Sequence, residues 1–351
     1  MKNKKIILII VAVIILLVVI GAIFTLSKQD EAENETNNSI GEEQIDIPVD
    51  NTVDIVDINS TSRPFAVTVN NTPVAVKVQE GLNKAYLVYE IPTEGNTSRL
   101  LAFFKDVEDV KVGTIRSARH NFIDYSLESD AIYCSFGWSH YAQDDLQKNK
   151  SIDYIQGLFD KPFWRENPEK IASEHTAYTS IAKLRDYAKS KNISLNSSSA
   201  SNTILLNYNT SDVDLSKKEG AIVANNVDVS YSSSFNTSFK YDGENKIYNR
   251  FENGQANIDY ATKEQFNAKN IIVQKVEYNV CDDNYYWNLH LEGNSGEGYF
   301  ISNGYAVPIK WSKSGRNDKT KYTYLDGTEI EVSDGRTYIE VLLTSQKLTI
   351  N

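Results

Sequence analysis

An apolar run from Ile6 to Leu26, broken only by Gly21 and Thr25 and preceded by Lys2, Lys4 and Lys5, constrains this chain more than any other feature. At about 1.5 Å per residue a helix over that run spans roughly 32 Å, about the hydrocarbon thickness of a bilayer. The run is longer than a secretory h-region, and Ala22-Ile23-Phe24-Thr25-Leu26-Ser27 offers no small-x-small cleavage site. An uncleaved single-pass transmembrane anchor is therefore expected over 6–26, with residues 1–5 in the cytoplasm and the rest of the chain outside. No cysteine lies near the end of the run, so a lipid anchor at that point is excluded.

Residues 27–62 read as an acidic flexible tether. Gln29 to Ser62 contains ten Asp or Glu and no Lys or Arg, and a segment so charged and so poor in apolar side chains cannot build a core. Ile55 and Val56, near its end, are apolar enough to dock on the folded part. The whole chain has 36 basic and 47 acidic residues, a net of −11. Setting aside the four lysines up to Lys28 and the ten tether acids leaves −5 for residues 63–351. That balance, with no basic run, argues against nucleic acid and against bulk polyanions as partners.

The folded part divides by pattern into two domains. Residues 63–200 alternate strands (64–70, 85–91, 98–104, 131–136) with helices at 117–127 and after Ser180, which predicts a mixed α/β domain. Residues 201–351 are almost all β. Asp242-Gly243, Asn253-Gly254, Asn303-Gly304, Asp326-Gly327 and Asp334-Gly335 supply hairpin turns between short alternating runs. One helical interruption is expected at 260–267, with Trp287 and Trp311 as core anchors of an antiparallel meander or small barrel. The fold class is α+β. Cys134 and Cys281 sit in strand-like surroundings in different halves, where a thiol acts as a small apolar filler; their pairing stays open.

The polar residues of the first half gather unusually. Glu90 closes one apolar strand, Glu94-Gly95 occupies the turn and Arg99 opens the next strand. A hairpin centred between Glu94 and Gly95 places Glu90 opposite Arg99. Such a pair either positions a substrate or does acid–base work, or it is an ion pair that fixes register. Gly113-Thr114-Ile115-Arg116-Ser117-Ala118-Arg119-His120 then puts Arg116 and Arg119 one turn apart at the front of the expected helix. Cations there oppose the helix dipole, which suggests an anion pocket with Ser117 as cap or donor. Pairing of Arg116 with Glu90 or Glu94 is the other reading. Asp124 and Glu128 follow His120 at helix-surface spacing. His175 precedes a capped helix, where binding residues often lie, although a hydrogen-bonding spacer is its plainer role.

The catalytic candidates are thus Glu90, Glu94 and His175, and the binding candidates Arg99, Arg116, Ser117 and Arg119. The sequence contains no G-x-G-x-x-G, Walker loop, H-E-x-x-H or G-x-S-x-G, and no Cys/His spacing for zinc. No cofactor or metal is expected, and a Cys134 nucleophile with His140 or His175 has little support.

Arg63-Pro64-Phe65-Ala66-Val67, Val88-Tyr89-Glu90, Gly113 to Arg119, Asp130 to Tyr133, Phe163-Trp164-Arg165 and His175 with Tyr178-Thr179-Ser180 resemble the YerB-like family of bacterial envelope proteins. The second half is similar at Ala268 to Gln274, Trp311-Ser312-Lys313 and Gly335 to Ile339. The resemblance spans nearly all of 63–345. It implies lipoproteins of Gram-positive-type bacteria with two domains of unknown function, and Glu90, Glu94, Arg99, Arg116, Ser117, Arg119 and His175 as the polar signature. This chain departs in having an apolar anchor run without a lipidated cysteine, and Cys134 lies outside the matched pattern. The expected role is a non-catalytic binding or scaffolding module for a cell-wall component or an envelope protein of wall synthesis. The alternative is an envelope hydrolase or transferase with Glu90 or Glu94 as acid/base.

Overall fold

Apolar runs bounded by turn residues become the strands of one large sheet. The computed structural model describes residues 52–282 and 286–351. The expected cytoplasmic stretch 1–5, the anchor 6–26 and most of the tether lie outside the described residues. Among the described residues no helix is long and apolar enough to cross a membrane.

The main sheet has 11 strands. From one edge it runs Ile222–Val223, Tyr305–Lys313, Asn294–Ser302, Asn270–Val276 and Thr337–Leu343 from the second half. It continues with Leu87–Thr93, Thr97–Phe104, Phe65–Asn70, Ile132–Ser135 and Tyr154–Gln156 from the first, and Lys321–Tyr324 pairs beside Tyr305–Lys313. The halves join where Leu87–Glu90 lies parallel to Thr337–Glu340. Phe65–Asn70 and Thr337–Leu343 are buried at every position, as expected of strands covered on both faces. Residues 51–351 accordingly form one compact unit, and the change of sequence pattern near residue 200 does not interrupt its main sheet.

A second, six-stranded antiparallel sheet covers one face, built on Asn226–Ser232, Phe235–Asp242, Ile247–Glu252 and Lys347–Ile350. Its Val227, Val229, Phe239 and Tyr248 pack with Val67, Val88 and Leu342 of the main sheet. On the opposite face Phe122, Ile123 and Tyr125 of the helix His120–Leu127 meet Tyr89, Phe103 and Ile339. Asn253-Gly254 and Asn303-Gly304 turn with positive φ at both residues, as two-residue hairpins require.

Several expectations need correction. Residues 260–267 form no helix: Asp259 accepts from the backbone of Ala261 and Thr262, which makes a turn. The helix expected from Ser117 starts at His120, because Arg116 to Ala118 are held extended. Arg116 N donates to Thr68 O (2.9 Å), Ala118 N to Gly137 O (2.9 Å) and Phe136 N to Arg116 O (3.0 Å). Asp124 and Glu128 do not pair along the helix surface but reach Arg316 (2.6 Å) and Lys313 (2.9 Å) of the second half. Trp311 is a buried anchor donating to Lys275 O at 2.8 Å, whereas Trp287 is half-buried at the margin. Cys134 and Cys281 are both free thiols. The end of the tether does dock: Val56 is buried, and Asp54 and Ile55 donate to the Asp334 carboxylate.

Candidate functional site

The hairpin between Leu87–Thr93 and Thr97–Phe104 pairs Glu90 with Leu100 and Ile91 with Arg99. It turns through Glu94, Gly95 and Asn96, one residue longer than the centre between Glu94 and Gly95 assumed. A one-residue slip moves side chains to the opposite face, so Glu90 and Arg99 do not meet.

Glu90 lies between the sheets with no exposure. Its Oε1 accepts from Asn71 (3.0 Å), Ser98 (2.6 Å) and Thr237 (2.8 Å), and its Oε2 from Arg250 Nη2 (2.7 Å). This carboxylate is saturated and out of reach of a polymer. The polar chain continues from Arg250 through Asn257 to Gln79 (3.0 Å) and on to the Asn70 carbonyl (2.7 Å).

Glu94, Arg99, Arg116, Ser117, Arg119 and His175 gather at the hairpin tip. Arg119 grips Glu94 with Nε (2.9 Å) and with Nη2, while Arg99 Nη2 reaches the same carboxylate at 3.4 Å. Arg99 also donates to Ser117 O at 2.6 Å and Arg119 to Ala118 O at 2.8 Å. The two arginines thus tie the hairpin to the extended strap 116–118. Gly137 faces that strap with φ +87°, and a Cβ there would lie 2.9 Å from Ser117 Oγ. Tyr286 lies against Arg119, 5.1 Å from its guanidinium carbon to the ring centre.

The charges bear on one another. Burial works to raise the Glu94 carboxyl, but the Arg119 hydrogen bond and the Arg119 and Arg99 charges outweigh it, so its pKa falls below the usual value. Arg99 is pushed down to about 9 by burial first, then by the positive charges of Arg119 and Arg116, with Glu94 opposing. Arg116 is lowered chiefly by burial, with Glu174 opposing and Arg119 adding.

Arg116 is half-buried and donates to Glu174 O at 2.9 Å. Asn70 Oδ1 accepts from Thr72 N (3.3 Å), which orients the amide so that its Nδ2 donates to His175 Nδ1 (2.8 Å). The imidazole proton therefore sits on Nε2, which lies 4.0 Å from the Glu174 carboxylate. Burial and Arg116 lower the His175 pKa against the pull of Glu174, favouring the neutral ring. Arg165, which is not among the candidate site residues expected from sequence, stands over the Phe136 ring at 4.7 Å and acts electrostatically on Arg116. Its place beside Trp164 in Phe163-Trp164-Arg165 was the available signal.

Cys134 is fully buried, donates to Ile132 O at 3.5 Å and has its pKa raised well above normal by burial, which describes a core thiol rather than a nucleophile. His140 approaches Asp282 (3.3 Å) and His290 binds Asn279 (2.9 Å). Among the described residues no group of three His, Cys, Asp or Glu is arranged to hold a metal.

Two family models match most of this architecture. The DUF3048 N-terminal domain, a protein of unknown function, matches residues 53–194, and the DUF3048 C-terminal domain matches residues 227–339. The chain belongs to the DUF3048 family. Within it, the chain is 31% identical over 286 residues to "Putative lipoprotein YerB" of Bacillus subtilis (strain 168), covering 80% of this chain and 81% of that protein. The crystal structure of the YerB protein from Bacillus subtilis superimposes with a TM-score of 0.70 at 27% identity, over 83% of this chain and 95% of that one. The DUF3048 N-terminal match ends before the second sheet begins, so the Glu90–Arg250 contact joins a residue of each matched segment.

Proposed function

We propose that this chain is an extracytoplasmic module of the bacterial envelope, anchored through residues 6–26, that binds an anionic group of a wall component or wall-synthesis partner without chemistry. The observation that carries the reading is the surplus of guanidinium at the hairpin tip. Arg99, Arg116, Arg119 and Arg165 face the carboxylates of Glu94 and Glu174. Arg99 and Arg119 are engaged in bracing Glu94. Arg116 and Arg165 each commit Nη1 to the 173–176 segment, and their remaining N–H groups, with the Nε2–H of His175, are the donors that would meet a carboxylate or phosphate, for which a planar guanidinium fork is suited.

The likeness to a lipoprotein supports the envelope location. An acid/base role for Glu90 loses support from its burial and four donors, and one for Glu94 from the arginine grip that keeps it ionised. The test is co-sedimentation of the full-length protein with purified cell-wall sacculi, comparing wild type with Arg116→Ala. Retention that falls about tenfold, equal to about 1.4 kcal/mol, with an unchanged thermal midpoint supports the reading. Equal retention refutes it.

A further inference from the structure

The strand Ile247–Glu252 alternates half-buried and buried positions, and its inward phase carries Tyr248, Arg250 and Glu252. Arg250 is matched by Glu90. Glu252 has no such match. It is 4% exposed, and its buried Oε2 has no hydrogen-bond partner. Glu252 is among the residues lining a cavity of about 270 Å³, with Pro73, Val76 and Ile258 in its walls. Exposed Lys77 and Lys263 line the same cavity. Asp259, which also borders it, is already satisfied by the backbone N–H groups of Gly81 (2.7 Å), Ala261 (2.9 Å) and Thr262 (3.0 Å).

A buried carboxyl without a donor carries a desolvation penalty of about 1–3 kcal/mol or more, and such a group in a cleft is a functional-site candidate. Burial first, with Arg250 opposing and Glu90 adding, raises the Glu252 pKa to about 8. We propose that this cavity binds a small zwitterion of the amino-acid type, its ammonium donating to Glu252 and its carboxylate facing Lys77 and Lys263. An ammonium supplies the donors and the positive charge that the carboxyl lacks. The two lysines disfavour a simple amine and match a second, negative group. The apolar walls take a short aliphatic side chain, and the volume suits a free amino acid or the end of a peptide rather than a glycan strand. The inference does not rest on the arginine reading, since no residue is shared.

The test titrates the full-length protein, carrying carboxyl-labelled glutamate, with each enantiomer of alanine, with ethylamine and with acetate. The Glu252 carbon resonance is followed against pH. At least one alanine enantiomer is expected to lower the Glu252 midpoint by about one unit or more, ethylamine less so, and acetate not at all. Lys77→Ala with Lys263→Ala is expected to weaken alanine about tenfold and to bind ethylamine as tightly as wild type or more tightly. Glu252→Gln, checked by its thermal midpoint, is expected to abolish binding. A Glu252 titration unmoved by alanine, binding that survives Glu252→Gln, or ethylamine binding as tightly as alanine would each overturn the proposal. Loss of wall retention in Arg116→Ala with alanine binding intact would show that the two sites stand or fall separately.

Discussion

Arg250 Nη2 meets Glu90 Oε2 at 2.7 Å across 160 positions of sequence, and neither side chain has any exposure. Lys313 and Glu128 repeat the arrangement at 2.9 Å, again with no exposure on either side. Each pair takes one partner from each half, so both are available only once the halves have met.

Removing one member of such a pair strands a buried charge. Glu90→Gln is expected to destabilise the fold by about 3–5 kcal/mol, read as a lower denaturant midpoint at pH 7. Replacing both members, Glu90→Leu with Arg250→Met, removes the stranded charge but should recover only part of the loss, because Asn71, Ser98 and Thr237 also lose their acceptor. A Glu90→Gln protein as stable as wild type would show that the pair holds nothing together.

Glu340 stands beside Glu90 in the parallel pairing, yet its situation differs. Burial, then the neighbouring Glu90 charge, raises its pKa well above normal; Arg250 and the Tyr231 hydroxyl at 2.7 Å only partly oppose this. That direction favours the neutral acid. Glu340→Gln, an isosteric neutral replacement, is expected to stay within about 1 kcal/mol of wild type. Isotope-shifted infrared absorption should show a protonated carboxyl at pH 7 in wild type that is lost in the variant.

Glu252 makes stability depend on pH in the alkaline direction. Its folded pKa of about 8 lies above the ordinary glutamate value. The stability tied to its neutral form is fully present below the unfolded pKa and disappears as pH rises through about 8. Between pH 5 and pH 9 wild type should therefore lose a few kcal/mol, on the order of 3–5, that Glu252→Gln does not lose. Urea midpoints of both proteins at the two pH values check this.

Glu94 acts in the opposite direction. Its folded pKa is lowered, so its contribution is present above the unfolded carboxylate pKa and is lost as pH falls through the folded one. Glu94→Gln is expected to lose about 1–2 kcal/mol at pH 7, the gap to wild type narrowing under acid conditions. Thermal midpoints taken from pH 7 down to pH 3 test that convergence.

Sequence pattern carried the strands well. Thr337–Leu343 and Phe65–Asn70 are apolar or alternating between turn residues, so the strands follow from pattern, whereas the burial of Thr68, Asn70 and Glu340 within them does not. The hairpin register was not legible, because loops of two and three residues both accommodate Glu94-Gly95 and differ only in which face each side chain takes. The gathering of Glu94, Arg99, Arg116, Arg119 and His175 was legible as a cluster of polar residues, but its geometry was not. The strap 116–118 is extended because Thr68 on one side and Phe136 and Gly137 on the other supply its hydrogen bonds. Arg250 and Glu252 did leave a trace: in an alternating strand they share the phase of Tyr248, where an apolar residue is expected. Their partners, 160 positions away for Arg250, lie beyond any local pattern.

The most direct test of non-catalytic binding at the arginine cluster is mass spectrometry of soluble wall fragments offered to, and eluted from, the full-length protein and its Arg116→Ala, Arg165→Ala double variant. Wild type is expected to retain a fragment bearing a free carboxylate or phosphate and to return it with unchanged mass. The double variant, folded by its thermal midpoint, should let that fragment pass. Fragments returned cleaved or transferred, or equal retention by both proteins, would contradict it.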